Sequence, residues 1–429
     1  MPANVHKRRV IDPNRLPSWV RETTTLLSGT AGAQAITVAA YFFLTRIYGP
    51  DDFGLLGIFC SVLDVLIILS TCKYELSIVA SDSDREASAV AALSLRLNAI
   101  VSLLLLAVTA ALVLTGALPG KLRELGPLAL LIPPMIYFSG TSRIYENIFN
   151  RRRKYSTIAG SEAAAAATTV GLKAGLGLAG LLHSGLPIGT VLGRAAGNIV
   201  YRLRLHRLPS TTRQERRQAA VKHRNYPLFV APKDFAASLS TNLPLIWLAQ
   251  YADLGEAGFY SLAIAFTFRP VNIINVSVEK VLYSRAMEHL QKREPIWPEV
   301  RAFLLPAAAA AVVAGALLFV WGGPLFGLLF GAEWVACGYY IRCLLPWVMA
   351  MLLANSLMYV SNVFSTQSAE FMFCLVGLAL RAAGCWVGIA AGSFRLGILL
   401  FGAASCAVSL ALLWWYLYQV RRHDAAIAN

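Results

Sequence analysis

The chain has 429 residues, of which 57% are hydrophobic and only 14% charged, with a mean hydropathy of +0.58. A soluble protein of this length needs roughly a quarter of its residues charged to coat its surface, so the composition excludes a pair of soluble domains and points to a membrane chain with a lipid-facing apolar exterior. The formal charge of +15, from 38 Lys and Arg against 23 Asp and Glu, is not gathered in a basic low-complexity arm, which argues against a nucleic-acid partner.

Residues 1–25 are polar and basic, with Lys7, Arg8, Arg9, Arg15 and Arg21. The apolar stretch behind them is too long for a secretory signal and lacks its small-residue cleavage pattern, so it reads as an uncleaved first span. A spanning helix needs about 20 mostly apolar residues. On that measure the sequence predicts about twelve spans, at 26–47, 53–73, 88–115, 126–148, 156–181, 185–203, 227–250, 257–281, 302–330, 337–361, 370–391 and 396–419. The fifth departs most from the pattern, being rich in Ala and Gly with Glu162 and Lys173 inside it. Basic residues gather in alternate loops: Arg151 to Lys154 after span four, Arg202 to Arg224 after span six, Lys292, Arg293 and Arg301 after span eight, and Arg421 and Arg422 after span twelve. The intervening loops carry acids such as Asp51, Asp52, Asp253, Glu256 and Glu333. This asymmetry predicts a multi-pass protein with both termini cytoplasmic, and it accounts for most of the net charge without an acidic protein partner.

The longest polar stretch, 205–226, reads as a basic cytoplasmic linker between an N-terminal lobe at 26–204 and a C-terminal lobe at 227–420, followed by a tail at 421–429. A shift of 204 residues carries Leu44 to Leu248, Asp52 to Glu256, Gly54 to Gly258 and Glu75 to Glu279. The two halves therefore read as a parallel repeat. Six spans return the chain to its starting side, so the lobes would be related by a pseudo-two-fold axis along the membrane normal, with a site at their interface.

A charged residue facing lipid at the bilayer centre costs about 2.5–3.5 kcal/mol on insertion scales, so the charged residues at depth should face inward. Arg143, Glu146, Asn147 and Asn150 stand at i, i+3, i+4 and i+7 on span four; Glu162, Thr169 and Lys173 share a face of span five; Arg194, Asn198 and Tyr201 share a face of span six. Asp64, Thr71 and Glu75 align on span two, Asp234, Ser238 and Thr241 on span seven, and Arg269, Asn272 and Glu279 line part of span eight. Arg96 and Arg381 lie within spans three and eleven. These groups either pair with one another to hold helices together, for example Glu162 or Asp64 with Arg96, or line a water-filled cavity. The deep cations outnumber the deep acids, which predicts a positively charged cavity suited to an anion; guanidinium forks suit phosphate oxygens. On this reading Arg96, Arg143, Lys173, Arg194, Arg269 and Arg381, with Asn147 and Asn272, hold substrate, and Asp64, Glu146 and Glu162 couple movement to protons.

The seven cysteines show no C-x-x-C pair and fall almost entirely in apolar segments, so they read as small core residues. The histidines form no metal-ligand spacing, and no G-x-x-x-x-G-K-[ST] loop binds a nucleotide, so no metal and no cofactor is expected. No outer loop is long enough to form a catalytic platform, and none carries paired carboxylates or a Ser/His/Asp set, which argues against an enzyme.

The segments L-L-S-G-T-A-G-A-Q-A (26–35), T-R-I-Y-G-P-D-D-F-G-L-L (45–56) and K-Y-E-L-S-I-V (73–79) resemble the Wzx-like O-antigen and exopolysaccharide flippases of the multidrug/oligosaccharidyl-lipid/polysaccharide (MOP) exporter superfamily. N-R-R-R-K-Y (150–155), Y-P-L-F (226–229), G-E-A-G-F-Y-S-L-A (255–263) and P-L-F-G-L-L-F-G-A-E-W (324–334) extend the resemblance over nearly the whole chain. It implies an all-α, V-shaped molecule of two six-helix lobes in the bacterial inner membrane, working by alternating access. The implied substrate is an undecaprenyl-pyrophosphate-linked oligosaccharide turned from the cytoplasmic to the periplasmic leaflet, with membrane lipid around it and a polysaccharide polymerase or glycosyltransferases as partners. No site residue transfers by motif. The rival readings are a drug exporter of the same superfamily, disfavoured because 26–45 holds no acid, and a membrane scaffold that recruits glycosyltransferases through the basic linker.

Overall fold

The computed structural model describes residues 32, 34, 36–205, 209–364 and 366–428. Among these residues the fold is helical throughout, with no strand. Residues 36–44 are the described part of the first span, here α1; most of the rest of 26–47 lies outside the described residues. The N-terminal lobe continues with α2 (Pro50–Thr71), α3 (Asp84–Leu114), α4 (Ile132–Arg151), α5 (Tyr155–Leu178) and α6 (Leu182–Arg204). A helix in the linker, α7 (Arg213–Lys222), precedes the C-terminal lobe of α8 (Ala231–Ile246), α9 (Leu254–Lys292), α10 (Trp297–Phe330), α11 (Cys337–Ser356), α12 (Gln367–Ala390) and α13 (Phe394–Ala428).

Local sequence explains where these helices start. In α2 the Gly-Pro-Asp-Asp run places Pro50 in the first turn, and the Asp52 carboxylate accepts the Gly49 N–H at 3.0 Å. In α3 the Ser83 hydroxyl accepts the Glu86 N–H at 3.2 Å. α8 has only 16 residues, but a π turn at Tyr226–Val230 and a 3-10 turn at Leu248–Tyr251 lengthen it to the expected span. α13 runs beyond the expected 419 because its end caps another helix: the Asp424 carboxylate accepts the N–H groups of Ile296 and Trp297 at 3.0 and 2.7 Å, and Arg421 lies 4.4 Å from the Trp297 ring.

Among the described residues six segments are, by length and composition alone, apolar enough to cross a membrane: α2, α3, α10, α11 with its flanking turns (Ala332–Val363), α12 and α13. Those that fall short include α4, α5 and α6, whose polar faces meet inside the lobe. α5 packs on α6 along Gly185, Gly189, Gly193 and Gly197, spaced i, i+4. A Cβ at Gly193 would sit 1.8 Å from the Thr169 hydroxyl, and one at Gly189 2.7 Å from Cγ of Lys173. The glycine ridge therefore brings the polar fifth span to backbone-level contact with its neighbour.

The lobes meet where α2 crosses α9, and the contact is reciprocal. A Cβ at Gly54 would lie 2.0 Å from the Leu254 carbonyl oxygen, and one at Gly258 1.9 Å from the Pro50 carbonyl oxygen. Pro50 and Leu254, like Gly54 and Gly258, are related by the 204-residue shift, so each half presents the same surface to the other, as a two-fold interface requires. At this end the Trp334 indole N–H donates to the Thr45 carbonyl at 3.3 Å, and Phe42 stacks on Phe330 at 5.1 Å. The 205–226 segment contains a helix that docks on the N-terminal lobe. α7 carries a capping box from Thr212 and Glu215, buries Ala219 against the start of α3, and is tied there by ion pairs of Lys222 with Asp82 (2.7 Å) and Glu86 (2.8 Å).

Candidate functional site

A cavity of about 550 Å³ opens inside the N-terminal lobe. α4 contributes Arg143 and Glu146, α5 Glu162, Thr169 and Lys173, α6 Thr190 and Arg194, and α2 Asp64. Six of the charged residues singled out from helical periodicity thus converge on one space. Arg194 Nη1 and Glu162 Oε1 are 2.9 Å apart, with each side chain about one-third exposed, so the pair stands in the cavity wall in contact with solvent. The ion-pair alternative holds for Glu162, but its partner is Arg194 and not Arg96.

Uncharged polar groups fix the helices that carry these charges. Asn198, one turn from Arg194, donates to the Phe138 carbonyl at 2.7 Å and accepts from the Ser142 hydroxyl at 3.2 Å, which holds α6 to α4. Asn98 donates to the Tyr137 carbonyl at 2.8 Å and to the Thr141 hydroxyl at 3.1 Å, which holds α3 to α4. The Tyr48 hydroxyl donates to the Lys173 carbonyl at 2.7 Å. A second cavity of about 210 Å³ shares Tyr41, Leu56, Cys60 and Asp64 with the first. Thr241 and Asn242 of α8 and Tyr260 and Ser261 of α9 close its far side, so the polar space reaches the C-terminal lobe. The Ser238 hydroxyl of α8 donates to the Asp64 carbonyl at 2.8 Å, joining the lobes beside it.

The remaining expected site residues lie elsewhere. Arg96 is exposed on the face of α3 that also exposes Ile100, Leu103 and Leu104, and it lines neither cavity. Asn147 turns back on its own helix, donating to the Arg143 carbonyl at 2.8 Å. Asn272 is exposed on α9 and lines neither cavity. The Arg269 side chain lies outside the described residues. Arg381 is held within the C-terminal lobe, donating to Ser405 and Ser240 hydroxyls at 2.8 Å each, with the Trp347 and Phe401 rings 5.7 and 5.9 Å away.

Among the described residues this distribution departs from the expectation of a cationic cavity: Arg143, Lys173 and Arg194 face Asp64, Glu146 and Glu162, so these formal charges balance, and the cations Arg96 and Arg381 lie outside the cavity. Periodicity placed residues on common faces; it did not say which face meets the cavity. Thr37, Tyr41, Thr190 and Asn242 were not picked out as lining residues, because single polar groups in apolar helices carry no repeat. Among the described residues no group of three or more His, Cys, Asp or Glu side chains is placed to hold a metal ion.

Residues 43–338 match the sequence pattern of a family described as polysaccharide biosynthesis protein. A comparison with curated protein sequences finds no match. Among solved structures, the chain is similar to an inward-facing multidrug resistance MATE family transporter of the MOP superfamily, at 13% identity and a TM-score of 0.68, covering 91% of this chain and 96% of that one. It is also similar to a MOP superfamily transporter from Pyrococcus furiosus (12% identity, TM-score 0.58, 94% and 96% covered) and to a eukaryotic MATE transporter (16% identity, TM-score 0.57, 96% and 100% covered). At these identities the likeness concerns the fold.

Proposed function

The chain belongs to the polysaccharide biosynthesis protein family, and from that premise we propose that it is a flippase for a lipid-linked oligosaccharide, built on the MOP transporter fold. Its substrate is an undecaprenyl-pyrophosphate-linked repeat unit of O-antigen, capsule or exopolysaccharide, turned from the cytoplasmic to the periplasmic leaflet of the inner membrane. Both termini are cytoplasmic, and the polymerase or glycosyltransferases that make and use the glycan are its working partners. The observation that carries this reading is the charged, hydroxyl-lined cavity between α2, α4, α5 and α6, which extends toward α8 and α9.

Arg143, Lys173 and Arg194 supply donors for pyrophosphate oxygens, while Thr, Ser, Asn and Tyr groups suit sugar hydroxyls. The lipid tail stays in the bilayer. Balanced charge gives this cavity a coupling rule. A diphosphate competes with Glu162 for Arg194, and protonation of Glu146 or Glu162 leaves the cavity net positive, so anion binding and proton binding favour one another. Asp64, at the junction of the two cavities, lies where movement between lobes would be sensed.

Purified protein in vesicles loaded with a fluorescent lipid-linked oligosaccharide, probed with a membrane-impermeant glycosidase, tests the reading. Wild type should expose the inner-leaflet pool, Arg143→Gln or Arg194→Gln should slow exposure at least tenfold, and collapsing an outward-directed, inside-acid proton gradient, along which proton and lipid move together, should slow wild type. Unchanged rates in both variants would remove the cavity from the mechanism. The three wall carboxylates also favour a second reading, export of organic cations. That reading predicts dye-cation transport by these vesicles and no lipid turnover.

A further inference from the structure

Four consecutive cations, Arg151 to Lys154, form the turn between α4 and α5, and they do not share one role. Arg151 is structural: its Nε contacts Asp84 at 3.1 Å, and its Nη1 donates to the carbonyls of Ile78, Val79 and Ser81 at 3.3, 3.3 and 2.6 Å. It fixes the turn to the start of α3. Arg152 and Arg153 are exposed, and with Asn150, Arg151 and Tyr155 they line a separate cavity of about 510 Å³ bounded by Val79 and Asp84. Among the described residues no carboxylate lies within ion-pair distance of Arg152, Arg153 or Lys154, whereas nearby Lys222 and Arg85 are paired with Asp82, Glu86 and Glu215. Three cations thus face one acid, Asp84, which Arg151 already engages. Arg153 has φ +53°, and the N-terminus of the 24-residue α5 opens beside it, adding the positive end of a helix dipole.

This cavity lies along the same helix as the inner one. Asn150 follows Arg143 and Glu146 at i+7 and i+4, on the polar stripe of α4, about 10 Å along the helix from Arg143. A diphosphate held at the turn is therefore one helix stripe from the cations of the inner cavity. We propose that the α4–α5 turn is a docking site for the diphosphate of a prenyl lipid at the membrane surface, where Arg152 and Arg153 capture the headgroup before it moves to Arg143 and Arg194. The inference rests on the flippase reading for the identity of the ligand. Forked guanidinium donors and an amide fit diphosphate oxygens, and a turn at the end of a spanning helix lies at headgroup depth.

Farnesyl diphosphate binding tests it, using the full chain in phosphatidylcholine nanodiscs and an Arg143→Gln, Lys173→Gln, Arg194→Gln background that takes all three cations from the inner site. Arg152→Gln with Arg153→Asn, the latter tolerant of a left-handed backbone, should weaken binding about tenfold, and Arg152→Lys with Arg153→Lys should restore part of it. Asn150→Asp, which keeps both arginines, should weaken it too and decides the matter if the double variant does not fold. Unchanged affinity in the folded variants overturns the proposal. Equal affinity for inorganic pyrophosphate overturns the lipid source in favour of a free phosphate compound. Competition by phosphatidylglycerol nanodiscs as strong as that by farnesyl diphosphate overturns it in favour of bulk surface charge. Failure of the flippase reading is a separate result: wild-type vesicles would turn over no lipid while this binding persisted.

Discussion

Arg194 and Glu162 meet at 2.9 Å across α6 and α5, each partly open to the cavity, so the pair holds two helices and leaves both groups within reach of a ligand. Its worth is a matter for a double-mutant cycle. Glu162→Gln and Arg194→Gln made singly each strand a charge, and the double variant strands none. We expect a coupling energy of about 0.5–3 kcal/mol in thermal or denaturant unfolding in detergent. Strictly additive effects would show that solvent has already screened the contact. Arg381→Lys should also destabilise the C-terminal lobe, by about 1–3 kcal/mol in the same measurement, because an ammonium cannot bond two separate hydroxyls while stacking between Trp347 and Phe401. The partners of Arg381 show why such sites escape the sequence. Ser240 and Ser405 come from α8 and α13, far apart in the chain, and a serine in a spanning helix announces nothing by its spacing. The i, i+3, i+4, i+7 stripe of α4 was legible because four polar residues repeat on one face. Arg96 is the one charge within the apolar part of α3, ten residues beyond Glu86, where a single charge fixes no face.

At the scale of elements, α5 and α7 were the hardest to read, for opposite reasons. α5 is too polar and too rich in small residues to look like a span until its glycine-bearing partner α6 is set beside it. Gly193→Leu should therefore separate α5 from α6 and lower the yield of folded protein, whereas the same change at Gly160, whose Cβ would meet nothing, should be tolerated. α7 lies in so basic a segment that charge hid its helix, although the Thr212 and Glu215 capping box was present in the sequence. Its docking is electrostatic and titrates. Across the docked contact, hydrogen bonding from Lys222 holds Asp82 below the usual carboxylate range, and Asp82 in turn raises Lys222; Glu215 is lowered first by the Thr212 N–H of its own capping box and only then by Arg85 of α3. Groups lowered by docking stabilise it above their undocked values, about 4, and lose that contribution as pH falls through their docked values; Lys222 contributes below about 10.4 and loses it as pH rises further. Hydrogen exchange of α7 corrected for intrinsic rate should rise as pH falls below about 4 and again as it climbs past about 10. Exchange indifferent to acid would show that Ala219 and its apolar contacts hold α7 alone.

For the whole molecule, the repeat was the most informative reading of the sequence, because one number, 204, related residues that the fold brings together. Gly54 meets Leu254 as Gly258 meets Pro50, and a Cβ at Gly57 would lie 3.0 Å from Cβ of Ser261, another pair related by the same shift. The crossing of α2 and α9 is therefore self-complementary along several turns, and glycine is required there because backbone meets backbone. Such a contact can be close in one state and must be broken in another if a cavity beside it is to open to the opposite side. Gly57→Cys with Ser261→Cys, in a chain where nearby Cys60 is replaced by Ser, puts two thiols within reach of a disulfide after a small outward shift, since bonded cysteines have Cβ atoms about 3.5–4.5 Å apart. Oxidation should pin the two helices together. If the flippase alternates by separating the lobes at this crossing, lipid turnover in vesicles should stop on oxidation and return on reduction, while farnesyl diphosphate still binds at the α4–α5 turn. Turnover that continues at full rate in completely cross-linked protein would place the moving boundary elsewhere and leave α2 and α9 as a fixed spine between the lobes.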